Sequence, residues 1–151
     1  MKLDEMTLDV TQSVVIGAGL DEVFEKMLYR LGEGNSRPDG ESLQLNIEAF
    51  AGGRWYRDRG AGVQHLWAHV QTIKAPELLE MSGPMFMSYP VINHVEVKLE
   101  RVDDGTKVTL RHRALGMIEA AHREGVSHGW QHMLENIAGD FPQKAASPSP
   151  A

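Results

Sequence analysis

The sequence predicts an α+β fold, an antiparallel sheet of about seven strands packed on one long C-terminal helix. Three observations carry that expectation. From Gly125 to Ala138, the residues Val126, Trp130, Met133, Leu134 and Ile137 recur at helical spacing and give the stretch one apolar face. Between Leu43 and Leu115, short alternating segments are separated by the turn signals Gly52-Gly53, Gly60-Ala61-Gly62 and Asp103-Asp104-Gly105. A second, shorter helical pattern precedes those segments. One long helix with a single apolar face needs the face of a sheet to bury it.

In chain order, Met6, Leu8, Val10, Val14 and Ile16 alternate with polar neighbours apart from Val15, as in a half-buried strand. Leu20, Val23, Phe24, Met27, Leu28 and Leu31 then follow helical spacing. Asp21 and Glu22 suit the positive end of that helix, and Gly32 suits its stop. Gly32 to Glu41 is rich in turn-forming residues and reads as a loop. Strands follow over Leu43–Ile47, Arg54–Asp58, Val63–Lys74 and Leu78–Met81, with Ala75-Pro76 as a breaker. Ser82–Pro90 carries two prolines around Met85-Phe86-Met87, the pattern of a loop with an exposed apolar tip, and reads as a lid. Val91–Arg101 and Lys107–Leu115 form a hairpin, and the final helix runs from about Met117 to Ala138. Gly125 and Gly129 each cost a helix interior about 1 kcal/mol. Their presence one turn apart implies that a sheet or a bound molecule approaches the helix backbone closely.

The chain has 151 residues, 42% of them apolar and 24% charged. That composition fits a single globular domain over residues 1–142. The Ser/Pro/Ala-rich tail, 143–151, is expected to be disordered. A net charge of −6 argues against a broad nucleic-acid footprint. Arg54, Arg57 and Arg59 read as a solvated strand face, because no glycine-rich loop leading into a helix accompanies them. The absence of cysteine excludes disulfides, zinc–thiolate sites and thiol catalysis, and fits a reducing, cytoplasmic setting. No apolar run approaches the ~18 residues of a membrane helix. The acidic start Met1–Glu5 is not followed by the apolar core of a secretory signal. No cofactor is expected.

Three passages carry a family resemblance. They are the turn Gly52-Gly53-Arg54-Trp55-Tyr56, the passage Val70–Leu79 with its Pro76-Glu77-Leu78-Leu79, and His128-Gly129-Trp130 followed by Leu134. In this order, from about Thr7 to Ala138, they resemble the START-like (SRPBCC) superfamily. Within it they are similar to proteins homologous to the C-terminal domain of the Hsp90 ATPase activator Aha1. Ala75 stands where that family carries a first proline, and the loop Gly32–Gly40 stands where an aromatic residue often follows the first helix. The resemblance implies a helix-grip (START/Bet v 1-like) fold, a curved sheet around the long helix with an apolar cavity between them. It implies binding of an apolar or amphipathic small molecule. The alternatives are a cavity enzyme of cyclase or hydrolase type and a protein-interaction module with a chaperone contact. An edge strand would also support a homodimer.

Candidate site residues are the polar groups that interrupt apolar rows and the large side chains of the lid. Asn93 interrupts Val91, Val95 and Val97, and His112 interrupts Val108, Leu110 and Ala114. If Asp104-Gly105 is a two-residue loop, Val97 faces His112, and Asn93 lies further along the same face. In the resembling fold the first strand lies beside the last, which brings Gln12 to the same group. His122, one turn beyond Ile118, is expected on the helix face that looks at this sheet. Such groups either orient a ligand in an apolar pocket or are satisfied core residues. His112 and His122 are also candidate general bases. Trp67, Phe86 and Tyr89, with Met85 and Met87, are candidate lining or lid residues, and ordinary core packing is the competing reading. No metal site is expected. His128 and His132 have a helical i, i+4 spacing but no third ligand and read as surface residues, and His65 and His69 lie about 13 Å apart on one strand face.

Overall fold

The computed structural model describes residues 2–142. The expected tail, 143–151, lies outside the described residues. After a short 3-10 turn, Leu3–Glu5, the elements are β1 (Thr7–Ile16), α1 (Leu20–Leu31), β2 (Leu45–Ile47), β3 (Arg54–Asp58), β4 (Gln64–Lys74), β5 (Leu78–Gly83), β6 (Val91–Val102), β7 (Gly105–Gly116) and α2 (Ala120–Gly139). The strands form one seven-stranded antiparallel sheet in the order β1-β7-β6-β5-β4-β3-β2. β1 therefore pairs with the last strand of the chain. Bulges at Trp55/Tyr56 and Val70/Thr72 bend the β3–β4–β5 side of the sheet. Both helices lie against its concave face.

The core follows the alternation. On β6 and β7 the inward residues are Val95, Val97, Leu99, Val108 and Leu110, all buried. From α1 they meet Val23, Phe24, Met27 and Leu31, and from α2 they meet Val126, Met133, Leu134 and Ile137. Polar tethers fix the helices. Arg30 donates two hydrogen bonds to the Asp140 carboxylate, both at 2.6 Å, and joins the last turns of α1 and α2. Arg123 donates to the carbonyls of Thr7 and Glu5. Trp55 Nε1–H donates to the carbonyl of Leu31 at 2.8 Å, which ties β3 to the end of α1.

The innermost tether is a relay of side chains from α2 through β7 to β6. Trp130 Nε1–H donates to His112 Nδ1 at 2.8 Å. That nitrogen is then an acceptor, so the His112 proton sits on Nε2, which donates to Asn93 Oδ1 at 2.6 Å. The Asn93 amide donates onward to the carbonyls of Gly83 and Pro84 at 3.2 and 3.0 Å. His112 is fully buried and uncharged, and burial pushes its pKa from 6.5 down to about 4. Protonation would also turn Nδ1 into a donor facing the Trp130 N–H.

Several expectations shift. Val95, not Val97, opposes His112, and the two-residue turn is Asp103-Asp104, because Gly105 pairs with Val102. Gly105 adopts a φ of +141° with its α-carbon against the Ile16 carbonyl, a place with no room for a side chain. α2 starts at Ala120, so Ile118 precedes the helix instead of sharing a face with His122. Leu43 lies ahead of β2, since Gln44 takes a φ of +55° and breaks the strand. β5 continues to Gly83, beyond the expected Met81. Met85 and Met87 are buried, not an exposed tip, because Met85 takes a φ of +57° and turns the segment into the core.

Trp130→Ala is expected to cost about 3–5 kcal/mol, and Trp130→Phe about 1–3 kcal/mol through the lost donor to His112, both read by urea unfolding. A depressed folded pKa at His112 means that the unfolded chain binds more protons between pH 6.5 and about 4. Its contribution is complete above 6.5 and is lost as pH falls through that window, a decline of roughly 3 kcal/mol. Urea titrations from pH 7 to 4 check it. His112→Gln should flatten the slope across the window.

Candidate functional site

A pocket of about 280 Å³ opens between the sheet and α2. Its inner wall is aromatic and sulfur-bearing, made of Trp55 from β3, Trp67 from β4, and Met85 and Phe86 from the segment after β5. These rings pack edge to face. Trp55 and Trp67 lie 5.2 Å apart, Trp67 and Phe86 5.8 Å, and Phe86 and His122 5.0 Å. α2 supplies the opposite wall with Val126, Trp130 and Met133, together with the bare backbone of Gly125 and Gly129. A β-carbon built on either glycine meets nothing within 4 Å. No sheet approaches the helix here, and the two glycines widen the pocket. The loop residues Asn35, Ser36, Arg37 and Pro38, with Leu43, close the remaining side. The exposed members of the wall are Arg37, Pro38, Ala121, Gly125 and Gly129, so the mouth lies between this loop and the first half of α2. A larger surface depression of about 870 Å³, near Lys74, Glu77, Lys98 and Arg101, lies among exposed charged side chains and lacks such a wall.

The polar groups on the wall are mostly engaged. His122 Nδ1 lies 2.8 Å from the Tyr89 hydroxyl, and that oxygen accepts the backbone N–H of Glu119 at 3.1 Å. Tyr89 also stacks on the His122 ring, 5.7 Å away at 18°. His132 Nε2 contacts the Ser36 carbonyl at 3.2 Å and the Asn136 amide at 3.1 Å, which ties α2 to the loop. Asn35 donates to the Arg30 carbonyl, and its Oδ1 is buried with no partner among the described residues. The Arg30 hydrogen bonds hold the Asp140 carboxyl below the usual carboxylate range. Among the described residues no Asp or Glu lines the pocket, and Glu119 Oε2 lies 3.8 Å from His122 Nδ1 outside the lining.

The expected residues separate into groups. Trp67, Phe86 and His122 line the pocket, and Tyr89 stands directly behind His122. Asn93 and His112 are brought together as expected, but in the buried relay and not on the wall. Both His112 nitrogens are engaged, so no lone pair is left for a general base. Gln12 does not join them. Its amide donates to the Ser127 carbonyl of α2 at 2.8 Å. Ile118 packs against the core without reaching the pocket. His128 is exposed as expected, whereas His132 belongs to the wall. Sequence reasoning missed Trp55 of the aromatic wall, and Asn35, Ser36, Leu43, His132 and Asn136. The spacing Gly125, Gly129, His132, Asn136 is one helical face and was the signal for the last two.

No curated protein sequence matches the chain. Among solved structures, an uncharacterised protein from Rhizobium leguminosarum matches with a TM-score of 0.66 and 16% identity, over 87% of this chain and 92% of that one. A protein of unknown function from Staphylococcus aureus matches with a TM-score of 0.63 and 11% identity, over 90% and 94%. Ara h 8.0201 matches with a TM-score of 0.61 and 12% identity, over 89% and 97%. At these identities the likeness establishes the fold, the helix-grip, Bet v 1-like arrangement of sheet and long helix. Residues 40–140 match the model of the Activator of Hsp90 ATPase homolog 1-like protein family. That stretch holds most of the sheet, the pocket's aromatic wall and all of α2, and the chain belongs to this family.

Proposed function

We propose that this chain binds a compact apolar or amphipathic small molecule in the pocket between the sheet and α2. The observation that carries the reading is the bare helix backbone at Gly125 and Gly129, facing an aromatic and methionine wall across a space that no atom of the described residues fills. Two glycines in a helix interior cost about 1 kcal/mol each relative to alanine, and among the described residues nothing packs closely enough to require them. A bound molecule would use that space. The volume, about 280 Å³, lies just under the usual ~300–1,000 Å³ of small-molecule sites. It is well above the ~150 Å³ that takes up benzene in an engineered apolar cavity. The lack of cysteine accords with a reducing, cytoplasmic setting for this binding.

The test separates binding from folding. Gly129→Leu places a side chain in the pocket where no neighbour resists it, and it removes the helix penalty of glycine. The variant is expected to be as stable as the parent or up to about 1 kcal/mol more stable. Native mass spectrometry of the purified parent, compared with its denatured mass, should show a small-molecule adduct that the variant lacks. An adduct of equal occupancy in both proteins would contradict the reading.

A further inference from the structure

We infer that the pocket selects compact organic acids, taking a one- or two-ring body against its aromatic wall with a carboxylate that accepts a hydrogen bond from His122 Nε2–H. This rests on the pocket being a ligand site. The ionisable side chains on its wall are Arg30, Arg37, His122 and His132, all basic, in a chain whose net charge is −6. Glu119, Asp39 and Glu41 stand outside the lining, beside His122 and Arg37, so an ammonium ligand inside the pocket would be desolvated with no carboxylate on the wall itself. Arg30 is held by Asp140 and Arg37 stands exposed at the mouth beside Asp39 and Glu41, so recognition in the interior falls to the imidazoles. The Ser36 carbonyl beside His132 Nε2 can only accept, so that ring's proton is on Nε2 and its Nδ1 is left an acceptor that does not suit a carboxylate.

His122 differs. The Tyr89 oxygen accepts the Glu119 N–H and lies 2.8 Å from His122 Nδ1, with Glu119 Oε2 3.8 Å from the same nitrogen. With the Tyr89 hydroxyl donating to Nδ1, the ring's own proton is on Nε2, which has no hydrogen-bond partner among the described residues, on a side chain that is 31% exposed. The stacked Tyr89 ring and the edge of Phe86 fix the plane in which this N–H points. A donor held in this way, on a wall without acidic groups, is complementary to a carboxylate, and a hydrogen bond to a charged acceptor is about twice as strong as a neutral one. A volume near twice that which holds benzene sets the ring count.

Titration calorimetry with three probes of similar size tests the inference: 2-naphthoate, 2-methylnaphthalene and 2-naphthylmethylammonium. On the full chain, the acid is expected to bind at least roughly tenfold tighter than the ammonium. His122→Phe should weaken the acid by roughly tenfold and the hydrocarbon by less than about twofold. Tyr89→Phe, which removes the positioning hydroxyl and keeps the stacked ring, should weaken the acid selectively and by less. Equal binding of acid and ammonium, or equal weakening of acid and hydrocarbon by His122→Phe, overturns the inference and leaves an apolar site. If none of the three probes binds, both the inference and the ligand-site reading fall.

Discussion

The structure depends on an uncharged histidine at the centre of its core. His112 is the joint at which the long helix, the last strand and the strand before it share one hydrogen-bonded chain, from Trp130 to Asn93 and on to the carbonyls of Gly83 and Pro84. Buried polar groups are tolerated when every donor and acceptor is used. Here each side-chain nitrogen has a directed partner, and only one tautomer of the ring satisfies the set. The indole and the carboxamide leave no room for a proton on Nδ1. The depth of the site, the depressed pKa and the docking of α2 at Trp130 therefore have one cause.

That joint also decides where the pocket lies. The relay closes the β6–β7 side of the space beneath α2, while the bulged β3–β4 side stands away from the helix and carries the large rings of Trp55 and Trp67. α2 keeps Leu134 and Ile137 where it meets the closed side, and Val126, Trp130 and Met133 are buried along the border with the pocket. At the mouth it drops to bare backbone at Gly125 and Gly129. One helix thus seals a core with one face and bounds a pocket with the next. The two buried-looking histidine positions acquire different chemistry from this division. His112 has no free nitrogen, and His122 keeps Nε2 available.

Much of the fold was legible in the sequence because it is written in periodicity. The five buried apolar residues of α2 are those whose spacing predicted its buried face, and each strand was placed by alternation and turn signals to within a few residues. The juxtaposition of Asn93 and His112 was legible too, since both interrupt apolar rows on facing strands. Their role was not, because whether a polar residue in a row is satisfied depends on its third neighbour, and Trp130 comes from another element. Register was misread by two residues because Asp103-Asp104 and Asp104-Gly105 are both plausible turns, and only the approach of the Ile16 carbonyl to Gly105 decides between them. The loop wall at Asn35–Pro38 and the inward turn at Met85 depend on local dihedrals that composition does not encode.

The most direct test of this account is a long-range 1H–15N NMR spectrum of the imidazole rings, recorded from pH 8 to pH 4. The account predicts that His112 shows a single Nε2–H tautomer, keeps it through the range where ordinary histidines titrate, and begins to charge only as the pH approaches about 4. A His112 resonance that titrates near 6.5, or that reports both tautomers in exchange, would contradict the uncharged joint on which the packing of α2 and the shape of the pocket have been argued to depend.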